Sequence, residues 1–494
     1  MTDANGRKYI LNFQMIRHVI GQISRVEAAL LILPLLVSLA YGEKTSAIAF
    51  LFTIAIAITF GTLLMQKKPQ NVVIYAREGF LIVAFSWIVL SVFGALPFVF
   101  SGEIPHFIDA FFETVSGFTT TGSSILTNVE ALSHGMLFWR SFTHWVGGMG
   151  VLVFALAILP LADDRSIHIL RAEAPGPTVG KLMPRMKDTA KVLYLIYLVM
   201  TVVLILLLWL GGMSLFDSFV HAFGTAGTGG FGIKSASIGY YNSAYIDWVI
   251  TIFMMLFGVN FNLYYFMLLR RWKDAFFNSE LIAYWGIIIG SVALISINIR
   301  GYFNSIADTV RYAAFQVSTI ITTTGFATTD FNLWPSFSKA ILVLLMFIGA
   351  CAGSTGGGIK VSRLLLMGKM VKKETRRMIH PRAVSLIKMD GKVVSEDTLS
   401  GVTAYMVTYL AIMCVSVLLL SIDGFDLEST ATAMIACLNN IGPGLGMVGP
   451  TGSFAGFSAF SKLVLSFDML FGRLEIFPML MLFSPSVWNW RKKF

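Results

Sequence analysis

Charge is what this chain has least of. Asp, Glu, Lys and Arg make up 13% of its 494 residues, against about 25% in a soluble domain. With 56% hydrophobic residues, that shortage excludes a soluble globular fold and predicts an integral membrane protein. Cysteine is scarce as well. Cys351, Cys414 and Cys437 lie far apart with no Cys-x-x-Cys pair, which argues against redox or metal chemistry and leaves them to core packing. No cleavable signal peptide is expected, because the N-terminus is polar and basic through Arg25 and no small-residue cleavage site follows a short apolar run. Acidic pairs within the apolar segments are missing too. Asp468 has no second Asp at its depth, so an intramembrane enzyme lacks its constellation. Neither an enzyme activity nor a covalently bound cofactor is expected.

Glycine, by contrast, is plentiful: 44 residues, which fits close helix packing in lipid. Basic residues also exceed acidic ones, giving a net charge of +10. They fall between apolar spans, so the excess is read as a topology signal and a contact with anionic lipid rather than with nucleic acid.

Two apolar spans, about 27–42 and 46–66, open the chain. A spanning helix needs ~20 apolar residues, so the first is too short unless it begins earlier. Four similar stretches follow. Each contains a long apolar span, a short half-apolar segment, a small-polar tetrapeptide centred on glycine, and a second span. The tetrapeptides are Thr120-Thr121-Gly122-Ser123, Gly227-Thr228-Gly229-Gly230, Thr323-Thr324-Gly325-Phe326 and Asn440-Ile441-Gly442-Pro443. Their central glycines, Gly122, Gly229, Gly325 and Gly442, recur at intervals of 107, 96 and 117 residues, as four copies of one unit would. The short segments, Phe107–Thr119, Ser214–Ala226, and those near 305–322 and 428–439, cannot cross a bilayer and read as re-entrant half-helices. Non-helical backbone at membrane depth is tolerated only inside protein or along water. Four such turns about one axis would offer the backbone carbonyls that replace a cation's water shell.

The predicted organisation is a two-helix extension at 1–77, repeat one at 78–161, a linker and repeat two at 162–278, repeat three at 279–398, and repeat four with the tail at 399–494. Ten spans and four re-entrant segments place six basic segments on one side, holding 27 of the 37 Lys and Arg residues. That side is cytoplasmic by the positive-inside rule, so both termini are expected there and the tetrapeptides outside.

Other motifs refine the pattern. Asp109 and Asp217 precede their glycines by 13 and 12 residues, whereas Asp308 and Glu428 precede theirs by 17 and 14. An acid at a helix start stabilises its positive end, leaving the negative end toward the axis; ordinary capping explains the same residues. Gly227–Gly232 and Gly444–Gly449 match Gly-x-Gly-x-x-Gly but lack the flanking strand and helix of a dinucleotide fold. The run Gly353-Ser354-Thr355-Gly356-Gly357-Gly358-Ile359-Lys360 is not a phosphate loop, because Ile359 separates the lysine from the glycines. Four glycines in six residues break the second span of repeat three, each costing ~1 kcal/mol against alanine in a helix. A gate is the functional reading and a helix-contact patch the structural one. Arg473 lies in the last apolar segment at helical spacings that suit neither Asp468 nor Glu475, so it is expected to reach the aqueous pathway and raise the barrier for cations.

These four glycine-centred turns, Ala352–Lys360, Leu438–Gly444, His380-Pro381-Arg382-Ala383 and Phe471-Gly-Arg-Leu-Glu-Ile476 together resemble the TrkH/TrkG branch of the Trk/Ktr/HKT potassium transporters. The resemblance covers essentially the whole chain. It implies an all-α polytopic membrane protein of four M1–P–M2, potassium-channel-like repeats around a pseudo-fourfold pore, with two further N-terminal helices. It implies a potassium uptake channel or transporter in a bacterial inner membrane, working as a homodimer with one pore per subunit. K+ would bind at the carbonyls of Thr120, Thr121, Gly227, Thr228, Thr323, Thr324, Asn440 and Ile441, with Gly122, Gly229, Gly325 and Gly442 completing the filter. It further implies a gating loop at 350–359 with Gly353–Gly358, Lys360 and Arg473, under a cytoplasmic TrkA-like ring of nucleotide-binding RCK domains. In the plant branch, Ser at the first filter glycine accompanies sodium preference, so Gly122 implies potassium. The rival within transport is a sodium-selective or sodium-coupled symporter.

Overall fold

The computed structural model describes residues 11–69, 74–150, 186–382 and 385–488. The second span of repeat one past 150 and most of the basic linker at 162–191 lie outside the described residues. So do Ala383 and the Arg491–Lys493 tail.

The described residues are mainly helical. Helix α1 (Phe13–Leu30) continues after a one-residue break into α2 (Ile32–Ala40), and α3 (Lys44–Met65) folds back along it. The first span therefore begins well before residue 27, and Arg17 and Arg25 lie within a helix rather than in a leading loop. Gly21 of α1 and Gly61 of α3 let the two backbones approach: a Cβ on Gly21 would stand 2.8 Å from the Gly61 carbonyl oxygen.

The next helices fall into four groups. The first is α4 (Ala76–Ser101), α5 (Phe107–Phe118) and α6 (His134–Gly148). The second is α7 (Met186–Leu210), α8 (Leu215–Ala226), α9 (Ala244–Phe257) and α10 (Phe261–Leu268), followed by the short α11 (Trp272–Phe276). The third is α12 (Ser279–Asn298), α13 (Ile306–Ile321), α14 (Ser336–Ile348) and α15 (Val361–Ile379). A two-stranded hairpin, Lys388–Met389 with Lys392–Val393, leads to the fourth: α16 (Glu396–Leu420), α17 (Leu427–Leu438), α18 (Ala459–Arg473), α19 (Phe477–Phe483) and α20 (Pro485–Trp488).

Within each group the short helix packs on both its neighbours. Between groups, α6 packs on α8, α9 on α13, α14 on α17 and α18 on α5. The fourth group thus closes onto the first, a cyclic order that centres the four short helices. All four carry an acid in the first turn: Asp109, Asp217, Asp308 and Glu428. The longer spacing of Asp308 reflects the 16 residues of α13 against 12 in the other three.

Among the described residues six helical segments, counting α1–α2 as one, are long and apolar enough to cross a bilayer, and the pair α9–α10, bent by 89°, makes a seventh if taken as one span. The apolar segments and the placement of basic residues predict ten spans, with the second span of repeat three broken at its glycines. The difference has two causes: the second spans of groups two to four are interrupted, and the second span of group one lies partly outside the described residues, which stop at 150. Glycine explains the breaks at Gly258 and 349–358. The break between α18 and α19 uses Glu475 and Ile476 at φ 55° and 69°, a conformation rare for a β-branched residue and a form of strain that gathers at functional sites. Helix α15 also runs eleven residues past 368, where the third repeat's second span is expected to end, carrying Lys369, Lys372, Lys373, Arg376 and Arg377 on a helix rather than in a loop.

Candidate functional site

Each short helix ends in the same turn. One residue past the helix cap, Thr120, Thr228, Thr323 and Asn440 adopt left-handed backbone, with φ of 55°, 54°, 58° and 55°. The next N–H closes back on the helix: Thr121 to the Ser116 carbonyl, Gly229 to Gly224, Thr324 to Thr319 and Ile441 to Ala436, each at 2.8 Å. This is the Schellman closure of a helix end. It turns the N–H groups inward and leaves the carbonyl oxygens to point elsewhere. A left-handed glycine follows two residues after the first left-handed position: Gly122, Gly230, Gly325 and Gly442.

The second turn is thereby corrected by one residue. Gly230, not Gly229, matches Gly122, Gly325 and Gly442. Gly227 is the cap of α8, in right-handed helical conformation, and its carbonyl accepts from Thr228 Oγ1 at 2.6 Å. It therefore drops out of the acceptor set, and Gly229 takes the place assigned to it. Two adjacent glycines made the register ambiguous; the helix closure resolves it.

The four turns meet. A Cβ on Gly122 would strike the Gly229 carbonyl, one on Gly230 that of Thr324, and one on Gly325 that of Ile441. One on Gly442 would stand 2.9 Å from the Thr121 carbonyl oxygen. Each glycine thus faces the residue preceding the next glycine, and the fourth returns to the first. Asn440 Nδ2 donates to Thr121 Oγ1 at 3.0 Å, and Ser123 Oγ to the Gly442 carbonyl at 3.0 Å, across the same seam. Among the described residues, no donor reaches the carbonyl oxygens of Thr120, Thr121, Thr228, Gly229, Thr323, Thr324, Asn440 or Ile441. All eight residues are buried. Buried backbone acceptors are nearly always paired, so eight unpaired ones brought into one cycle have the chemistry to accept a cation or water.

The segment 349–360 lies against the helix ends of turns three and four. Gly357 N–H donates to Thr323 Oγ1 at 2.6 Å and Gly358 N–H to the Asn439 carbonyl at 3.1 Å. A Cβ on Gly356 would stand 2.9 Å from the Thr322 carbonyl oxygen, and one on Gly357 would strike that of Asn439. Only glycine permits this approach. Lys360 turns back, its Nζ donating to the Gly356 carbonyl. Ser354 Oγ bonds the Cys351 carbonyl at 2.7 Å, and Thr355 Oγ1 the Phe257 carbonyl at 3.2 Å.

Arg473 joins these parts. It donates to Thr355 O at 2.9 Å, Thr120 Oγ1 at 3.2 Å, and the carbonyls of Gly147 and Gly148 at 2.5 and 3.2 Å. Neither Asp468 nor Glu475 is its ion-pair partner. Asp468 accepts from Ser416 at 2.7 Å, and Glu475 pairs with Arg363, whose guanidinium lies 4.1 Å from the Tyr405 ring centre.

Glu280 was missed by sequence reasoning. Its Oε1 accepts from Ala352 N–H at 2.7 Å and Ser362 N–H at 3.0 Å, gripping both ends of the glycine segment. An acid in the first turn of a span reads as an ordinary dipole partner, so nothing local marks it.

A helical chain with several apolar spans of bilayer length belongs among the polytopic membrane proteins. Residues 46–492 match the TrkH family of cation transport proteins, and the chain belongs to that family. It is 38% identical to the Trk system potassium uptake protein TrkH of Escherichia coli strain K12, over 97% of this chain and 100% of the relative. It is 33% identical to the potassium uptake protein TrkG of the same strain, over 96% and 99%. The crystal structure of the potassium transporter TrkH from Vibrio parahaemolyticus superposes with a TM-score of 0.86 at 34% identity, covering 97% of this chain and 100% of that one.

Proposed function

We propose that this protein takes up potassium across a bacterial inner membrane through the cycle of turns, which acts as a selectivity filter. The four helix groups are read as M1–P–M2 repeats about one pore. The observation that carries the reading is the set of eight buried, donor-free carbonyls at equivalent positions of four turns. A dehydrated K+ is bound by carbonyl oxygens of this kind. The names of the TrkH and TrkG relatives support potassium as the ion. With the termini cytoplasmic, a cation gains about 2.3 kcal/mol per 100 mV on moving inward.

The glycine segment is the gate, and the structure is read as closed. Lys360 lies within electrostatic reach of Arg473, Arg363, Glu475 and Glu280, so the region beneath the turns carries more positive than negative groups. The working unit is a homodimer with one pathway per subunit. A cytoplasmic TrkA-like partner with RCK domains would act through α15, which begins where the glycine segment ends. A push on that helix reaches the gate directly.

The test is rubidium uptake into liposomes holding the purified protein, with potassium or sodium as competitor. Potassium should compete strongly and sodium weakly. Equal or stronger competition by sodium would replace this reading with that of a sodium-selective or sodium-coupled transporter. Arg473→Ala should raise open-state flux on the order of tenfold, the factor that about 1.4 kcal/mol of barrier represents. A lower flux from a normally folded variant would contradict the barrier role.

A further inference from the structure

Nine residues before each turn glycine, the short helices carry Glu113, His221, Gln316 and Ala433. These positions back the turns, and the four differ in what they can hold. Gln316 Nε2 reaches only neutral acceptors of its own quarter, the Thr329 carbonyl at 3.3 Å and Thr328 Oγ1 at 3.5 Å. His221 Nε2 has no hydrogen-bond partner among the described residues. In the fourth quarter, the hydroxyl of neighbouring Thr432 accepts from Leu445 N–H at 2.9 Å.

The first quarter alone has a charged tie at this position. Glu113 Oε1 accepts from Arg140 Nε at 2.5 Å and from Ser124 Oγ at 2.9 Å, and Oε2 accepts from Ile125 N–H at 2.9 Å. Arg140 reaches across to the second quarter. Its NH1 donates to the Gly232 carbonyl at 3.0 Å, and its guanidinium lies 3.6 Å from the Phe231 ring centre. Ser141 Oγ holds the Phe231 carbonyl at 3.3 Å. Glu113 is 1% exposed and Arg140 4%. One buried ion pair thus fixes the chain leaving turn one, at 124–125, to the chain leaving turn two, at 231–232.

Resting on the filter reading above, we propose that Glu113 and Arg140 are positioning residues for ion selectivity. They clamp the spacing between turns one and two from behind. Carbonyls held at a fixed separation disfavour the closer approach that a smaller cation requires, so a rigid clamp works against sodium. A buried pair is geometrically demanding because each charge depends on the other for solvation. The clamp therefore loosens with each bond to Glu113 that is removed.

The experiment is rubidium uptake with sodium and potassium competition, on Glu113→Gln and Arg140→Lys in liposomes, beside melting of the same samples. Sodium should compete about tenfold better in both variants, a size of change that misplacement of binding groups by a fraction of an ångström can produce, while uptake and folding persist. Ser124→Ala, which removes one donor to Glu113 and leaves the ion pair, should shift competition in the same direction and less. If the two charged variants fail to purify, Ser124→Ala decides: no shift overturns the proposal. Unchanged competition in the charged variants, with Gly122→Ser altered, would make the clamp merely structural and leave the filter in place. Unchanged competition in all of them would remove both.

Discussion

Gly122→Ser should let sodium compete with potassium roughly 5–30-fold better than in the native protein. Two effects add at this position. The backbone is left-handed at φ 85°, which costs a non-glycine residue about 1–2 kcal/mol, a factor of roughly 5–30. A Cβ there would also strike the Gly229 carbonyl of the next turn, so the strain falls on a proposed ion-facing oxygen rather than on the surface. Gly230→Ser should behave alike, since its Cβ would strike the Thr324 carbonyl. The measurement is competition against rubidium uptake at matched protein levels. Native-like discrimination in both variants would end the assignment of these turns as a filter.

The second large effect concerns the glycine segment. Removing residues 353–358, or substituting Glu280→Ala, should give a protein that leaks rubidium without any cytoplasmic partner. Glu280 accepts two backbone N–H groups, and a hydrogen bond to a charged group contributes about 1.5–3 kcal/mol. Losing both shifts the closed–open balance by a factor on the order of a hundred or more, at about 1.4 kcal/mol per tenfold. Glu280→Gln keeps an acceptor in place without the charge and should leak less than Glu280→Ala. A tightly closed Glu280→Ala protein, folded and carrying the intact filter, would show that the segment packs helices and does not gate.

How far the sequence reached depends on the range of the signal. The short helices were legible because each has local start and stop marks. Ser214 and Ser305 cap their helices by accepting from Asp217 and Ala307 N–H, and a glycine lies just beyond every end. The second turn was placed one residue early because Gly229 and Gly230 are equivalent by composition. The left-handed backbone of Gly230, at φ 76°, and the shorter bond of Gly229 N–H to the Gly224 carbonyl, 2.8 against 3.4 Å, separate them. The interruption at 349–358 was visible as four glycines in six residues. The break at Glu475 and Ile476 was not, since neither residue favours its backbone conformation and Glu475 is held there by an ion pair with Arg363, 112 positions away. Glu280 and the Glu113–Arg140 pair were silent for the same reason. A single acid or arginine in an amphipathic helix carries no mark of its partner until the helices are assembled.

The seam between the first and fourth turns has a temporal consequence. Asn440 meets Thr121, and Ser123 meets Gly442, each across 319 positions of chain. A ribosome adding ~5–20 residues per second needs roughly 16–64 s to cover that stretch. For that interval the newborn first quarter lies in the bilayer with one polar flank uncovered, awaiting its mate. Translocon or chaperone shielding of that flank becomes a requirement of biogenesis, and chains cut short before the last quarter are natural targets for quality-control proteolysis.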